Sequence, residues 1–371
     1  MSLRRSSFAL VAALAAGALA ACGGGSDDKG DESARLAGPA REPFLGVTLG
    51  SLGSSPALIG TETRVMARSG VSSLRAQFSW SQLEPQKGKL DFRSSDALVG
   101  AAASARLDLL PVVLATPPWA AKNPYLLTTS PPRDPTDYAR FLRALIGRYG
   151  PDGAFWRQHP KLPKVPIRAW QIWNEPSHDY YWGEQPWAPS YVALLKAAHA
   201  AVRSADPGAK TVLAGFPDRS WVSLRQVEQA GGKGAFDVAA VHPYTAKVSN
   251  VLKVVKLDRA ALRAAGDGKV PLWLTEVTWS SGLGKVKRNQ FGFETTERGQ
   301  AERLTEALPL LAAQRDKLGI ERIYWESWAG SDKNPSLTWD WAGLRTVRGD
   351  SVRAKPAFDA YVRVARQLER P

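Results

Sequence analysis

From Phe44 onward the chain alternates short apolar runs with longer segments of helical period, and it does so eight times. The runs lie at 44–49, 71–76, 107–114, 167–173, 211–214, 236–241, 271–275 and 322–325, rich in the β-branched and aromatic residues that favour strands. Helical periodicity follows at 57–69, 94–105, 135–149, 189–205, 219–230, 251–265, 296–317 and 355–369. Around the fourth of these, Ser190 can cap and Tyr191, Leu194, Leu195 and Ala198 form an apolar stripe. Asp206, Pro207 and Gly208 stop it. Strands that alternate with helices are joined by crossovers and run parallel. Eight such pairs predict a closed (β/α)₈ TIM barrel as a single domain over 44–371. An open doubly wound sheet is the competing arrangement. The chain has no Gly-x-Gly-x-x-Gly after the first strand, no Gly-x-Ser-x-Gly elbow and no Walker loop.

The residues ahead of the barrel read differently. Arg4 and Arg5 precede an apolar run from Phe8 to Ala21, too short for a comfortable membrane span. The run ends in Leu19-Ala-Ala-Cys22, which resembles the lipobox of bacterial lipoproteins. That resemblance implies a signal peptide over 1–21 and lipidation of Cys22. The protein would then be exported and anchored to the outer face of the cytoplasmic membrane, or secreted if the lipobox is unused. Residues 22–43 are rich in Gly, Ser and Asp and read as a flexible tether.

Cys22 is the single cysteine, so an intrachain disulfide and a cysteine metal site are both excluded. The four histidines, His159, His178, His199 and His242, lack zincin spacing, and neither a metal nor a cofactor is expected. A formal charge of +14 without a dense Lys/Arg run or a recognisable motif argues against a nucleic-acid partner. It reads as a solvated basic surface, with attraction to an acidic polymer as the alternative. Oligomeric state is not legible.

Two carboxyls end strands on opposite sides of the predicted barrel. Glu175 follows the fourth strand, in Arg168-Ala-Trp-Gln-Ile-Trp-Asn-Glu-Pro176, and Glu276 follows the seventh, in Leu272-Trp-Leu-Thr-Glu276. Barrel enzymes keep their chemistry at the C-terminal ends of strands. Two carboxyls in one cleft push their pKa values apart, leaving one as acid and one as nucleophile. That is the requirement of retaining glycoside hydrolysis, with the groups about 5 Å apart. Adjacent Asn174 and Glu175 would face opposite sides of a regular strand, so a bulge is expected there. Long aromatic loops after strands three, four, seven and eight crowd the same face. From them Trp119, Trp182, Trp187 and Trp328 are candidates for stacking on sugar rings. Trp170 and Trp273 are expected to pack helices onto the barrel.

These motifs resemble clan A glycoside hydrolases, the (β/α)₈ retaining glycosidases that include cellulases, mannanases and xylosidases. Trp-Asn-Glu-Pro at 173–176 matches the strand-four motif, which implies Glu175 as acid/base and Asn174 as the holder of the sugar 2-hydroxyl. Thr275-Glu276 matches strand seven and implies Glu276 as nucleophile. Arg75, in Leu74-Arg-Ala-Gln-Phe-Ser-Trp80, matches the strand-two arginine that steadies the nucleophile. His242 and Tyr244 match the strand-six pair, and Trp328, rather than Trp325, is favoured as the floor of the central sugar site. The resemblance implies a β-linked glycan as partner and double-displacement hydrolysis. Two other readings stand beside it: a non-catalytic carbohydrate-binding lipoprotein, and a transglycosylase that remodels cell-surface glycan.

Overall fold

The computed structural model describes residues 43–287 and 292–368. Cys22, the signal-like run and the tether lie outside the described residues.

Eight parallel strands form one sheet: β1 (Leu45–Thr48), β2 (Ser73–Ser79), β3 (Asp108–Leu114), β4 (Ala169–Ile172), β5 (Lys210–Val212), β6 (Ala239–Val241), β7 (Leu272–Val277) and β8 (Ile320–Trp325). Each pairs with its sequence neighbour, and β1 also pairs with β8. Between β5 and β6 the seam is closed by backbone hydrogen bonds from Leu213 to Val238 (3.0 Å) and from His242 to Phe216 (2.9 Å). The main helix after each strand is, in order, α1 (Pro56–Arg68), α2 (Arg93–Ser104), α3 (Pro135–Tyr149), α4 (Trp187–Ala205), α5 (Ser220–Gln229), α6 (Val248–Ala264), α7 (Glu297–Ala312) and α8 (Pro356–Leu368), with short helical turns in some of the loops. The molecule is therefore a (β/α)₈ barrel.

Helix starts follow local chemistry. In α3, Asp134 accepts from the Thr136 N–H at 2.8 Å ahead of Pro135. In α7, Thr296 accepts from Gly299 at 3.0 Å. Helix α4 differs from expectation at its start. It begins at Trp187, and Ser190 sits inside it, its hydroxyl bonded to the Trp187 carbonyl.

Strand alternation divides the core in two. One set of side chains packs the barrel against its helices and includes Trp170, Ile172, Leu272, Leu274 and Ile323. The other, Leu110, Ala169, Val212, Val238, Ala240, Trp273 and Tyr324, fills the barrel itself. Trp273 thus belongs to the interior and not to the helix-packing layer, because its neighbours Leu272 and Leu274 take the outward positions.

A small second sheet follows the barrel, with β9 (Ala329–Gly330) parallel to β10 (Arg345–Arg348), and β10 antiparallel to β11 (Ser351–Ala354). No strand was expected there, since these segments are short and polar. Asp340 organises this loop by accepting from the N–H groups of Ser331, Lys333 and Asn334. The buried Lys355 ammonium donates to Ser281 and to the Trp341 carbonyl, tying the loops after β7 and β8 together. Burial pushes Lys355 down to about 8.

Gly46 is required by the interior packing. A methyl group there would lie 2.5 Å from the Tyr324 ring and 2.8 Å from the Ser73 carbonyl. Gly46→Ala should cost about 1–3 kcal/mol through overpacking. Urea unfolding checks this, and an unchanged midpoint would contradict it.

Candidate active site

Arg75 is the hub. It lies on β2, is 3% exposed, and spends its guanidinium on three elements. Nε donates to Gln171 Oε1 on β4, Nη2 to Asn174 Oδ1, and Nη1 to Glu276 Oε1 on β7, each at 2.7 Å. Burial opposes its charge, but the carboxyls of Glu276 and Glu326 outweigh burial and raise its pKa. Burial likewise pushes Glu276 up, while His242, Arg75 and Tyr244 together hold it below the ordinary carboxylate value. The Tyr244 hydroxyl donates to Glu276 Oε2.

His242 lies between the two carboxyls. Its Nδ1 is 2.6 Å from Glu175 Oε1, and its Nε2 is 3.5 Å from Glu276 Oε1. One oxygen of each glutamate and a ring nitrogen all fall within 4.8 Å of one another. The ring can sit there because residue 215 is glycine. A Cβ at that position would come within 1.8 Å of Nε2. Glu175, His242 and Glu276 offer a metal-ligand set, but the Arg75 guanidinium already supplies a positive charge against Glu276 where a cation would bind.

The backbone turns into the site by a route other than the expected bulge. Strand β4 ends at Ile172, and both Trp173 (φ 71°) and Glu175 (φ 43°) adopt left-handed conformations. Two such residues flanking Asn174 aim both Asn174 and Glu175 at the cleft. The register shifts fall in β7 instead, between Leu272 and Trp273 and between Leu274 and Val277. Glu175 and Asn174 are each 6% exposed. The exposed Tyr180 hydroxyl lies 3.4 Å from Glu175 Oε2.

A cavity of about 440 Å³ adjoins these groups, lined among others by Thr48, Arg75, Gln77, Asn174, Tyr181, Glu276 and Glu326. Its size falls in the small-molecule range. The structure thus brings together Glu175, Glu276, Asn174, Arg75, His242 and Tyr244.

The tryptophans are corrected. Trp182 is fully buried, its indole N–H on Ser190 Oγ and its ring edge-on to Trp173. Trp328 is fully buried as well. It donates to Glu62 Oε2 at 2.7 Å, with Arg345 over its ring. Trp187 is 5% exposed at the start of α4. Trp119 is half-buried, but Lys87 and Arg140 lie over its ring and its N–H is bonded to the Glu84 carbonyl. None of the four lines the cavity. A tryptophan that does approach the site is Trp339, 4.5 Å from the Tyr244 ring. Glu84 and Asp332 are internal ties: Glu84 to Arg140 and the Trp80 indole, Asp332 to Thr346 and Lys355.

Sequence reasoning missed Glu326. It follows β8 directly, as Glu276 ends β7, and the same strand-end rule finds it. Burial and the neighbouring Glu276 charge push Glu326 up to about 8.

A family model described as Beta-galactosidase matches residues 55–148. No curated protein sequence matches the chain. Among solved structures, the chain resembles a family 39 glycoside hydrolase from Bacteroides cellulosilyticus WH2 (18% identity, TM-score 0.66), covering 89% of this chain and 65% of that one. It resembles GH5_18 from Streptomyces cattleya with bound GlcNAc (18%, TM-score 0.64), covering 90% and 82%. It also resembles an exo-beta-1,4-mannosidase from Opitutaceae bacterium strain TAV5 (15%, TM-score 0.61), covering 88% and 59%. The chain thus spans about two thirds or less of the length of two of these. These likenesses show the (β/α)₈ fold.

Removing Arg75 should raise the titration of Glu276. In Arg75→Met, the Glu276 carboxyl ¹³C shift should titrate at higher pH than in the parent. Breaking the pair should also cost about 3–5 kcal/mol at neutral pH. The folded pKa of Glu276 is depressed, so that stability is present above the unfolded value of about 4.3 and falls away as pH drops through the folded one. The stability gap between parent and variant should therefore narrow in acid, which denaturant titrations at several pH values would read.

Proposed function

We propose that the protein is a retaining glycoside hydrolase of β-linked oligo- or polysaccharide, with Glu175 as acid/base and Glu276 as nucleophile. The observation that carries this reading is the spacing of the two carboxyls, whose facing oxygens lie within 4.8 Å. Retaining enzymes hold them about 5–5.5 Å apart, and inverting ones need room for an intervening water. The asymmetry of their surroundings agrees. His242, Arg75 and Tyr244 hold Glu276 below the ordinary carboxylate value, which favours the ionised form a nucleophile needs. The names of the β-galactosidase family model and of the exo-beta-1,4-mannosidase neighbour support a β-linkage.

In the first step Glu175 gives its proton to the glycosidic oxygen as Glu276 bonds to the anomeric carbon and the C–O bond breaks. In the second, water attacks that carbon, Glu175 takes its proton, and Glu276 is released. His242, in contact with both, holds the carboxyls in register. Asn174 spends its carbonyl oxygen on Arg75, so its amide nitrogen is the group left for a sugar hydroxyl.

Glu276→Ala should abolish turnover, with azide restoring formation of the α-glycosyl azide. In Glu175→Ala, loss should be about 10²–10⁴-fold on glycosides with poor leaving groups, and azide should yield the β-product. Proton NMR of the first-formed anomer decides the stereochemistry. An inverted product from the parent enzyme would refute the assignment.

The lipobox-like segment supports export and a lipid anchor at Cys22. Cys22→Ser should move the protein from the membrane fraction to the soluble exported fraction, and unchanged fractionation would contradict the anchor.

A further inference from the structure

The lining of the cavity contains a carboxyl that the double-displacement chemistry leaves unused. Glu326 lines it beside Glu276 and Arg75, and its Oε2 is buried without a hydrogen-bond partner. An oxygen desolvated in a polar cavity and left unpaired is costly. The cost is met when a ligand supplies the partner. The Thr48 hydroxyl, also in the cavity lining, is the side chain beside this carboxyl, and it can turn to a ligand as readily as to Glu326; the flanking tryptophans do not compete for it. Trp325 donates its indole N–H to the Ala342 carbonyl and Trp328 to Glu62, and both rings are fully buried. No tryptophan lines the cavity, so the polar face of this acid, not an indole, meets the sugar.

Charge narrows what that sugar is. Among the described residues, Arg75 is the only Lys or Arg lining the cavity, and its guanidinium is committed to Gln171, Asn174 and Glu276. Among the described lining residues, a sugar carboxylate would find Glu276 and Glu326 but no free cation. A polycationic glycan is disfavoured by the +14 charge of the chain. Burial beside Glu276 also favours the neutral form of Glu326, which can both donate to and accept from a hydroxyl.

Given the glycosidase reading, we propose that Glu326 is the specificity-determining residue of the central sugar subsite, holding one ring hydroxyl of an uncharged pyranose while the site rejects uronate sugars.

The test uses the full chain with 4-nitrophenyl β-glycosides of glucose, galactose, mannose and xylose, the matching uronides, and singly deoxygenated analogues of the best neutral substrate. Glu326→Gln should keep kcat/KM on that substrate within about threefold, because the amide still donates and accepts. Glu326→Ala should lose about 10- to 100-fold. One deoxygenated analogue should be poor for the parent yet no worse than its hydroxylated counterpart for Glu326→Ala, a coupling that a merely structural loss would not produce. Uronides cleaved as well as neutral glycosides, or no deoxygenated position that couples to residue 326, would overturn the proposal.

Calorimetric binding of gluco-, galacto- and manno-configured iminosugars separates it from the hydrolase reading. Parent protein that turns over no glycoside but binds one of these, with affinity reduced about tenfold or more in Glu326→Ala, would defeat hydrolysis and leave the assignment of Glu326 standing. Affinity unchanged in Glu326→Ala, or no binding and no turnover in the parent, would defeat the assignment.

Discussion

Everything at the mouth of this barrel depends on one guanidinium. Arg75 reaches from β2 to Gln171 on β4, to Asn174 beyond it and to Glu276 on β7, with three contacts of equal length. Its planar fork makes this geometry available where a lysine ammonium would not. A buried cation of this kind is tolerable only if paired, and the carboxyl that pairs it is the one whose ionisation the proposed chemistry needs. One interaction therefore fixes three strand ends relative to each other and sets the charge of the central carboxylate.

The second constraint is space. His242 occupies the gap between the two glutamates because residue 215 has no side chain, and Glu175 swings inward because Trp173 and Glu175 accept left-handed backbone. Such conformations are unfavourable for non-glycine residues and persist where the surroundings over-determine them. Here those surroundings include the backbone bonds of Trp173 to Val113 and of Glu175 to Gly215. Outside this centre, the loops after β7 and β8 are held by Asp340 and Lys355, so they are braced by charge as well as by apolar packing.

The barrel was legible because both of its periodicities are local. Apolar runs such as 107–114 and stripes such as Tyr191, Leu194, Leu195 and Ala198 declare strand and helix without knowledge of partners. The strand-end acids were legible for a related reason: in a barrel, a position at the end of a strand is already a position at the mouth. Glu326 obeys the same rule, yet its neighbours Trp325 and Trp328 offered a more familiar answer. The aromatic residues could not be sorted this way. An indole has the same appearance in sequence whether it covers a sugar or a helix. Trp182 and Trp328 found partners for their N–H groups in Ser190 and Glu62, remote contacts that no local pattern announces.

By itself, the sequence determined the alternation of strands and helices and the placing of two acids at strand ends, since both are matters of spacing along the chain. Tertiary structure alone decided which side chains meet. The triple grip of Arg75, the fit of His242 against Gly215 and the inward carboxyl of Glu326 join residues separated by tens to hundreds of positions. Distances of that kind are set by barrel closure, which no single segment encodes.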